Sequence, residues 1–280
     1  MLVNKYSIVA ISLIAALLIT GCSATNSDNP TPSDVTLQFA NKGSTATKSK
    51  VGYSANGLQT NDALSIQGSN GTLVITDLRF IVEDFELERV DSECEDLEGN
   101  EEDECEEFKS EPFFVDLPLT ADTLNLNTST IEPGLYEELE FEIDDLDLSE
   151  EADEDQEGKQ LLAELVRNEF PNWPDEASMV IIGNFISDQG DTTAFTTYAE
   201  AELEIEMEFS PPLEVTDNSI SKLLRININP VNWFLRTDGT VFVLSDYDYS
   251  TTGNILEFEV EIKNGFEEIE IDDDDDDDDD

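Results

Sequence analysis

From Phe195 to Phe209 the chain alternates with a period of two. Phe195, Ala199, Ala201, Leu203, Ile205, Met207 and Phe209 occupy odd positions, and Glu200, Glu202, Glu204, Glu206 and Glu208 fall between them. Successive side chains of a β-strand point to opposite faces, so this pattern requires a strand with one dry face and one acidic, wet face. The run is longer than most strands, and a bend or bulge should divide it between two pairings. Upstream, Met179 to Ser187 followed by Asp188-Gln189-Gly190-Asp191 reads as the first arm of a hairpin leading into it.

Further strands are expected at Val35–Ala40, Leu64–Gln67, Thr72–Val90 with a break near Asp84, Phe113–Leu117, Tyr136–Ile143, Leu223–Ile228, Val241–Leu244, Ile255–Ile262 and Glu267–Ile271. Asn56-Gly57, Asn70-Gly71, Asp238-Gly239 and Asn264-Gly265 supply turn signals between them. The one expected helix is Lys159–Phe170, with Leu161, Leu162, Leu165, Val166 and Phe170 on one side and Pro171 ending it. Many strands and one short helix predict a mainly β fold, an antiparallel β-sandwich. The domain is expected over residues 35–271, with room for lobes at 35–148 and 175–271 joined by an acidic helical insertion, 149–174. Residues 272–280 are nine consecutive aspartates, expected as a solvated, disordered tail.

The charge limits the partners. Thirteen Lys and Arg face 67 Asp and Glu, a formal net charge of −54. Nucleic acid is excluded as a ligand because no basic footprint exists to neutralise phosphates, and an anionic lipid surface would repel the chain. Self-repulsion of this size opposes a compact state unless cations screen it, so salty or calcium-rich surroundings are expected. Histidine is absent, which removes Ser-His and Cys-His nucleophile pairs and imidazole-ligated zinc or copper.

The N-terminus opens on a short basic stretch ending at Lys5 and an apolar run, Ile8 to Ile19, broken by Ser12. That length suits a signal-peptide core and is short for a bilayer span. The run closes on Leu18-Ile19-Thr20-Gly21-Cys22, which resembles the lipobox of bacterial lipoproteins. The resemblance implies removal of residues 1–21 and acylation of Cys22, with anchoring strengthened by about 0.8 kcal/mol per buried methylene. Residues 22–34 then form a polar tether, and the folded part faces the periplasm or the cell exterior, with the outer membrane as the favoured host.

The segment Ile131-Glu-Pro133-Gly134-Leu-Tyr136-Glu-Glu-Leu139-Glu-Phe141-Glu-Ile143 resembles the Pro-Gly-x-Tyr turn and following strand of periplasmic and surface β-sandwich lipoproteins of unknown function, and of the MbnP-like family linked to copper handling. Thr76 to Val82 and Phe114 to Leu117 add to the likeness, which spans Leu73 to Ile143. The copper role does not carry over, since no histidine is present to ligate the metal. A plain structural role, with Pro133 and Gly134 shaping a turn and Tyr136 packing, is the stronger expectation.

Carboxylates are the remaining chemistry. Asp153-Glu-Asp155-Gln-Glu157-Gly158-Lys159-Gln-Leu-Leu-Ala-Glu164 resembles an EF-hand calcium loop: oxygens at positions one, three and five, glycine at six, the Lys159 carbonyl at seven and Glu164 at twelve. Gln160 and Leu161 depart from the pattern. The competing reading is a charged stretch whose acids favour the start of a helix. Cys94 and Cys105 flank an acidic loop and, outside the cytoplasm, are expected to pair as a disulfide. Trp173 and Trp233 sit beside prolines, where an aromatic can stack on a sugar ring or pack against a sheet edge. Carboxylate pairs suited to glycoside hydrolysis occur in any fold this acidic, so they carry no information.

These features predict a non-enzymatic cell-envelope lipoprotein, a binding or display module with calcium as its foremost small ligand and no other cofactor. The rival expectation is a carbohydrate-binding or carbohydrate-active surface lipoprotein that meets a polysaccharide. A subunit that docks on another envelope protein is the third, and an exposed apolar patch would favour it.

Overall fold

A computed structural model of the chain describes residues 33–42, 63–90, 106–146, 156–216 and 221–273. The fold is mainly β and consistent with a β-sandwich. Its smaller sheet has the order β13 (Phe266–Asp273), β11 (Lys222–Ile228), β1 (Ser33–Asn41), β6 (Thr123–Ile131). The larger runs β10 (Leu203–Val215), β7 (Gly134–Ile143), β3 (Gly71–Arg89), β8 (Met179–Ser187), β9 (Thr192–Glu200), β12 (Leu256–Glu257). β2 (Leu64–Gly68), β4 (Glu106–Lys109) and β5 (Phe113–Asp116) pair with β3 outside that path.

Most pairings are antiparallel, as expected, and each sheet adds one parallel pair. β1 runs parallel to β11, and β12 parallel to β9. The two expected lobes are not separate. β1 from the first half pairs with β11 from the second, and β3 with β8, so strands of both halves interleave in each sheet.

The core lies between the sheets. Phe39 on β1 meets Phe80 of β3 and Phe141 of β7, each at 5.9 Å between ring centroids, and Phe266 of β13 meets Phe141 at 5.4 Å. A helix, α1 (Gln156–Glu169), covers part of the other face of the large sheet. There Ile81, Val180 and Tyr198 pack with Leu162, Val166, Trp173 and Ala177 in a second apolar cluster. Strands β3 and β8 are buried on both faces at this point. Their sequences accordingly lose the alternation and read as near-continuous apolar runs, Leu78 to Val82 and Met179 to Ile182.

β3 is continuous for 19 residues and changes partner along its length, pairing with β8 as far as Phe80 and with β7 from Glu83, across the expected irregularity near Asp84. The alternating run divides as expected. β9 pairs with β8 and β10 with β7, and at the break the buried Ala201 donates its N–H to Ser178 Oγ at 2.8 Å.

Two expected strands are replaced. Val241 makes only an isolated bridge to Leu235 across the Asp238-Gly239 turn, and Leu244–Tyr247 is a 3-10 helix. Only Leu256–Glu257 of the expected 255–262 strand is extended, and Glu259–Lys263 is helical (α4, after the short helices α2, Val231–Phe234, and α3, Tyr249–Thr252). Phe242, Leu244, Leu256, Phe258 and Ile262 are buried here against the main core. Apolar side chains in a core plug satisfy burial as well as a ladder does, and periodicity over so few residues does not tell them apart. β4 and β6 were not foreseen: β6 is rich in Thr, Asn and Ser, which mimic a loop. The expected tail also shortens, because Asp272 and Asp273 belong to β13, opposite Leu223 and Lys222.

Candidate functional site: an acidic sheet face

Strands β10, β7 and β3 lie side by side with their glutamates in register. Glu208 faces Glu138, Glu206 faces Glu140 and Glu204 faces Glu142 across the β10–β7 pairing. On the other side of β7, Glu138 faces Glu88 and Glu140 faces Glu86. Eight carboxylates thus share one sheet face. The opposite face carries the buried Phe85, Leu87, Leu139, Phe141, Ile143, Ile205 and Phe209. Burial of that apolar set fixes the register, and a one-residue slip would put the glutamates into the core.

Directly opposed residues have Cβ atoms only about 5 Å apart, and like charges so placed destabilise a sheet. The two central carboxyls, Glu138 and Glu140, hold their protons more tightly in response. Glu140, in the middle of the array, is pushed up to about 7 by partial burial, then by a hydrogen bond with Glu204 and the charges of Glu204, Glu86 and Glu206. Glu138 is also raised, by burial and then by Glu206, Glu88, Glu208 and Glu137. The array is no preformed cage: among the described residues no group of three or more Asp, Glu, Cys or His side chains is arranged to hold a metal ion.

Glu83 is the exception on β3. It is buried, and its carboxylate meets Lys159 of α1 at 2.9 Å. Arg79, further back on the same strand, bonds Asp77 at 2.8 Å and Glu169 at the end of α1 at 2.5 Å, and lies over the Phe170 ring at 5.3 Å. These two cations fasten the helix to the sheet.

No family model matches the chain, and no curated protein matches it. Among solved structures, MbnP from Methylosinus trichosporium is similar at 10% identity, over 70% of this chain and 75% of that one, with a TM-score of 0.29. At that level of superposition no property of MbnP transfers. The Pro-Gly-x-Tyr turn behaves as a structural device. Tyr136 is buried, its hydroxyl donates to the Glu132 carbonyl at 2.8 Å, and the Arg89 guanidinium lies 5.5 Å from its ring centre.

Of the expected calcium loop, the described part, from residue 156 onward, is helical. Glu157, Lys159 and Glu164 all lie on α1, which begins at the fourth position of the motif. A calcium loop turns sharply at its sixth position, whereas Gly158 lies within the regular helix, so the chain does not wrap around an ion there. The helix wins because Leu162 and Val166 bury against the sheet and Lys159 is held by Glu83. Asp153 and Asp155 lie outside the described residues, as do Cys22, Cys94 and Cys105.

Neither tryptophan is a stacking platform. Trp173 packs in the cluster under α1, at 5.5 Å from the Phe114 ring and 5.4 Å from Tyr198, and its Nε1 donates to the Ala177 carbonyl at 2.9 Å. Trp233 is fully buried against Phe80, Phe234 and Phe266. Both side chains carry large apolar area, and an interior site outcompetes a loop edge. The cross-strand glutamate register is the feature that sequence reasoning missed. The available signal was the matching Glu-every-second-residue pattern in Tyr136–Ile143 and Leu203–Phe209.

Proposed function

We propose that the chain is a non-enzymatic, lipid-anchored module of the cell envelope, held through Cys22, whose glutamate-covered sheet face gathers cations, calcium foremost. The face works as a collective counter-ion surface. Cations condense over it, neutralise the opposed carboxylates and strengthen the β10–β7–β3 region. The observation that supports this reading is the register itself, which sets Glu206, Glu140 and Glu86 in one row across three strands. Selection for sheet stability alone would place opposite charges or Thr at such positions. A surface that spends its life in contact with cations tolerates the carboxylates.

Calorimetric titration of the mature chain, residues 22–280, with calcium at fixed ionic strength tests the proposal. The native chain should take up more calcium than a variant carrying Glu138→Gln, Glu140→Gln and Glu206→Gln, and should release protons as it does so. Equal uptake by both chains would remove the face from the account.

A further inference from the structure

A second surface on the molecule has a different chemistry. α1 buries Leu162 and Val166 against the sheet, but Leu161 and Leu165 on its flank are 63% and 52% exposed. They are two of only six large exposed hydrophobic residues among those described. The sequence placed both leucines on the apolar side with Leu162 and Val166; the helix instead turns them toward a groove of about 700 Å³ between α1 and β5, where Phe114 continues the apolar surface while Phe113 packs on the other face of the strand, against the main core. Glu111, Asp116 and Glu169 stand around it. Arg79 is the one cation lining it, and it is shared among Asp77, Glu169 and, at 3.7 Å, Asp116, and laid over the Phe114 and Phe170 rings, so one cation faces an excess of carboxylates. Burial, with Asp77 and Glu169 nearby, raises the Asp116 carboxyl, and Arg79 only partly offsets this.

We infer that this groove is a docking site for a basic amphipathic segment of another protein, with aliphatic side chains on Leu161, Leu165 and the edge of Phe114 and Lys or Arg side chains at the Glu111, Asp116 and Glu169 rim. Charge selects this occupant. Apolar floor and acidic rim together match a helix or strand that alternates leucine-like and basic residues. A second copy of the chain would bring its own excess of carboxylates to an acidic rim, and an anionic lipid would be repelled in the same way. The groove is remote in character from the glutamate face, which has no exposed apolar floor, so the two proposals stand or fall separately.

The test uses the mature chain and three synthetic peptides of equal length: Lys/Leu amphipathic, Lys/Gln of the same charge, and Glu/Leu of the same hydrophobicity. Fluorescence anisotropy should show the Lys/Leu peptide binding at least ten-fold more tightly than either control. Leu161→Ser with Leu165→Ser should weaken it at least ten-fold while leaving weak Lys/Gln binding unchanged, since no charge is altered. Both leucines are exposed, so the double variant should keep the native thermal midpoint, and circular dichroism checks that it folds. A photo-crosslinker on the apolar side of the Lys/Leu peptide should label residues 111–116 and 158–169. Equal binding of Lys/Leu and Lys/Gln peptides, unchanged affinity in the double leucine variant, or crosslinks confined to the glutamate face would overturn the proposal. Light scattering showing a dimer that the leucine substitutions dissolve would overturn it in favour of self-association.

Discussion

At the scale of single residues, Glu140 is the most informative position. Its folded value, about 7, lies above the ordinary carboxyl value of 4.5, so the folded chain binds the proton more tightly than the unfolded one. Stability drawn from that proton is present at low pH and is lost as pH rises from about 4.5 through about 7. Glu140→Gln should therefore raise the thermal midpoint at pH 8 and change it little at pH 4, as read by scanning calorimetry at both values. Equal shifts at the two pH values would mean that opposed charge is not what burdens this face. Lys159 is a second test. Its ammonium meets the buried Glu83, and Lys159→Met should destabilise by about 3 kcal/mol in a denaturant titration, with much of the loss recovered when Glu83→Gln is added. Gly265 offers a steric test, because a Cβ there would overlap the indole of the fully buried Trp233. Gly265→Ala should cost about 1 to 3 kcal/mol.

At the scale of elements, alternation and turn chemistry located most of the sheet. Met179–Ser187 is a strand with the expected ends, and the long acidic run breaks at Ala201 into two strands with different partners. What failed did so for identifiable reasons. Polar β6 carries little periodic signal, and the Phe242–Ile262 region satisfies burial with short helices. The acidic motif at residues 153–164 contained both a loop pattern and a helix pattern, and only tertiary contacts with Leu162, Val166 and Lys159 decide between them. Since α1 already begins at the fourth position of the motif, Glu164→Gln should leave calcium uptake unchanged in a calorimetric titration; a clear loss would restore the loop. For both tryptophans packing was the favoured reading over sugar stacking, and both are buried, although flanking prolines do not report which way a side chain faces.

At the scale of the whole molecule, a chain with a formal net charge of −54 folds by sorting its residues. Apolar side chains fill the space between two interleaved sheets, and eight of the glutamates line one sheet face, where they oppose each other across three strands. Composition predicted a need for cation screening, but not where repulsion concentrates, because pairing between strands distant in sequence sets the rows. Anchoring through Cys22 would place this surface within reach of envelope cations, and intact mass measurement of the mature product should find an acylated cysteine as its first residue. The central claim is that cations stabilise the fold through the glutamate face. The most direct measurement is the thermal midpoint of the native chain and of the Glu138→Gln, Glu140→Gln, Glu206→Gln variant at low ionic strength, with calcium added. The account predicts a clear rise for the native chain and a smaller one for the variant, whereas a flat native response or equal rises would contradict it.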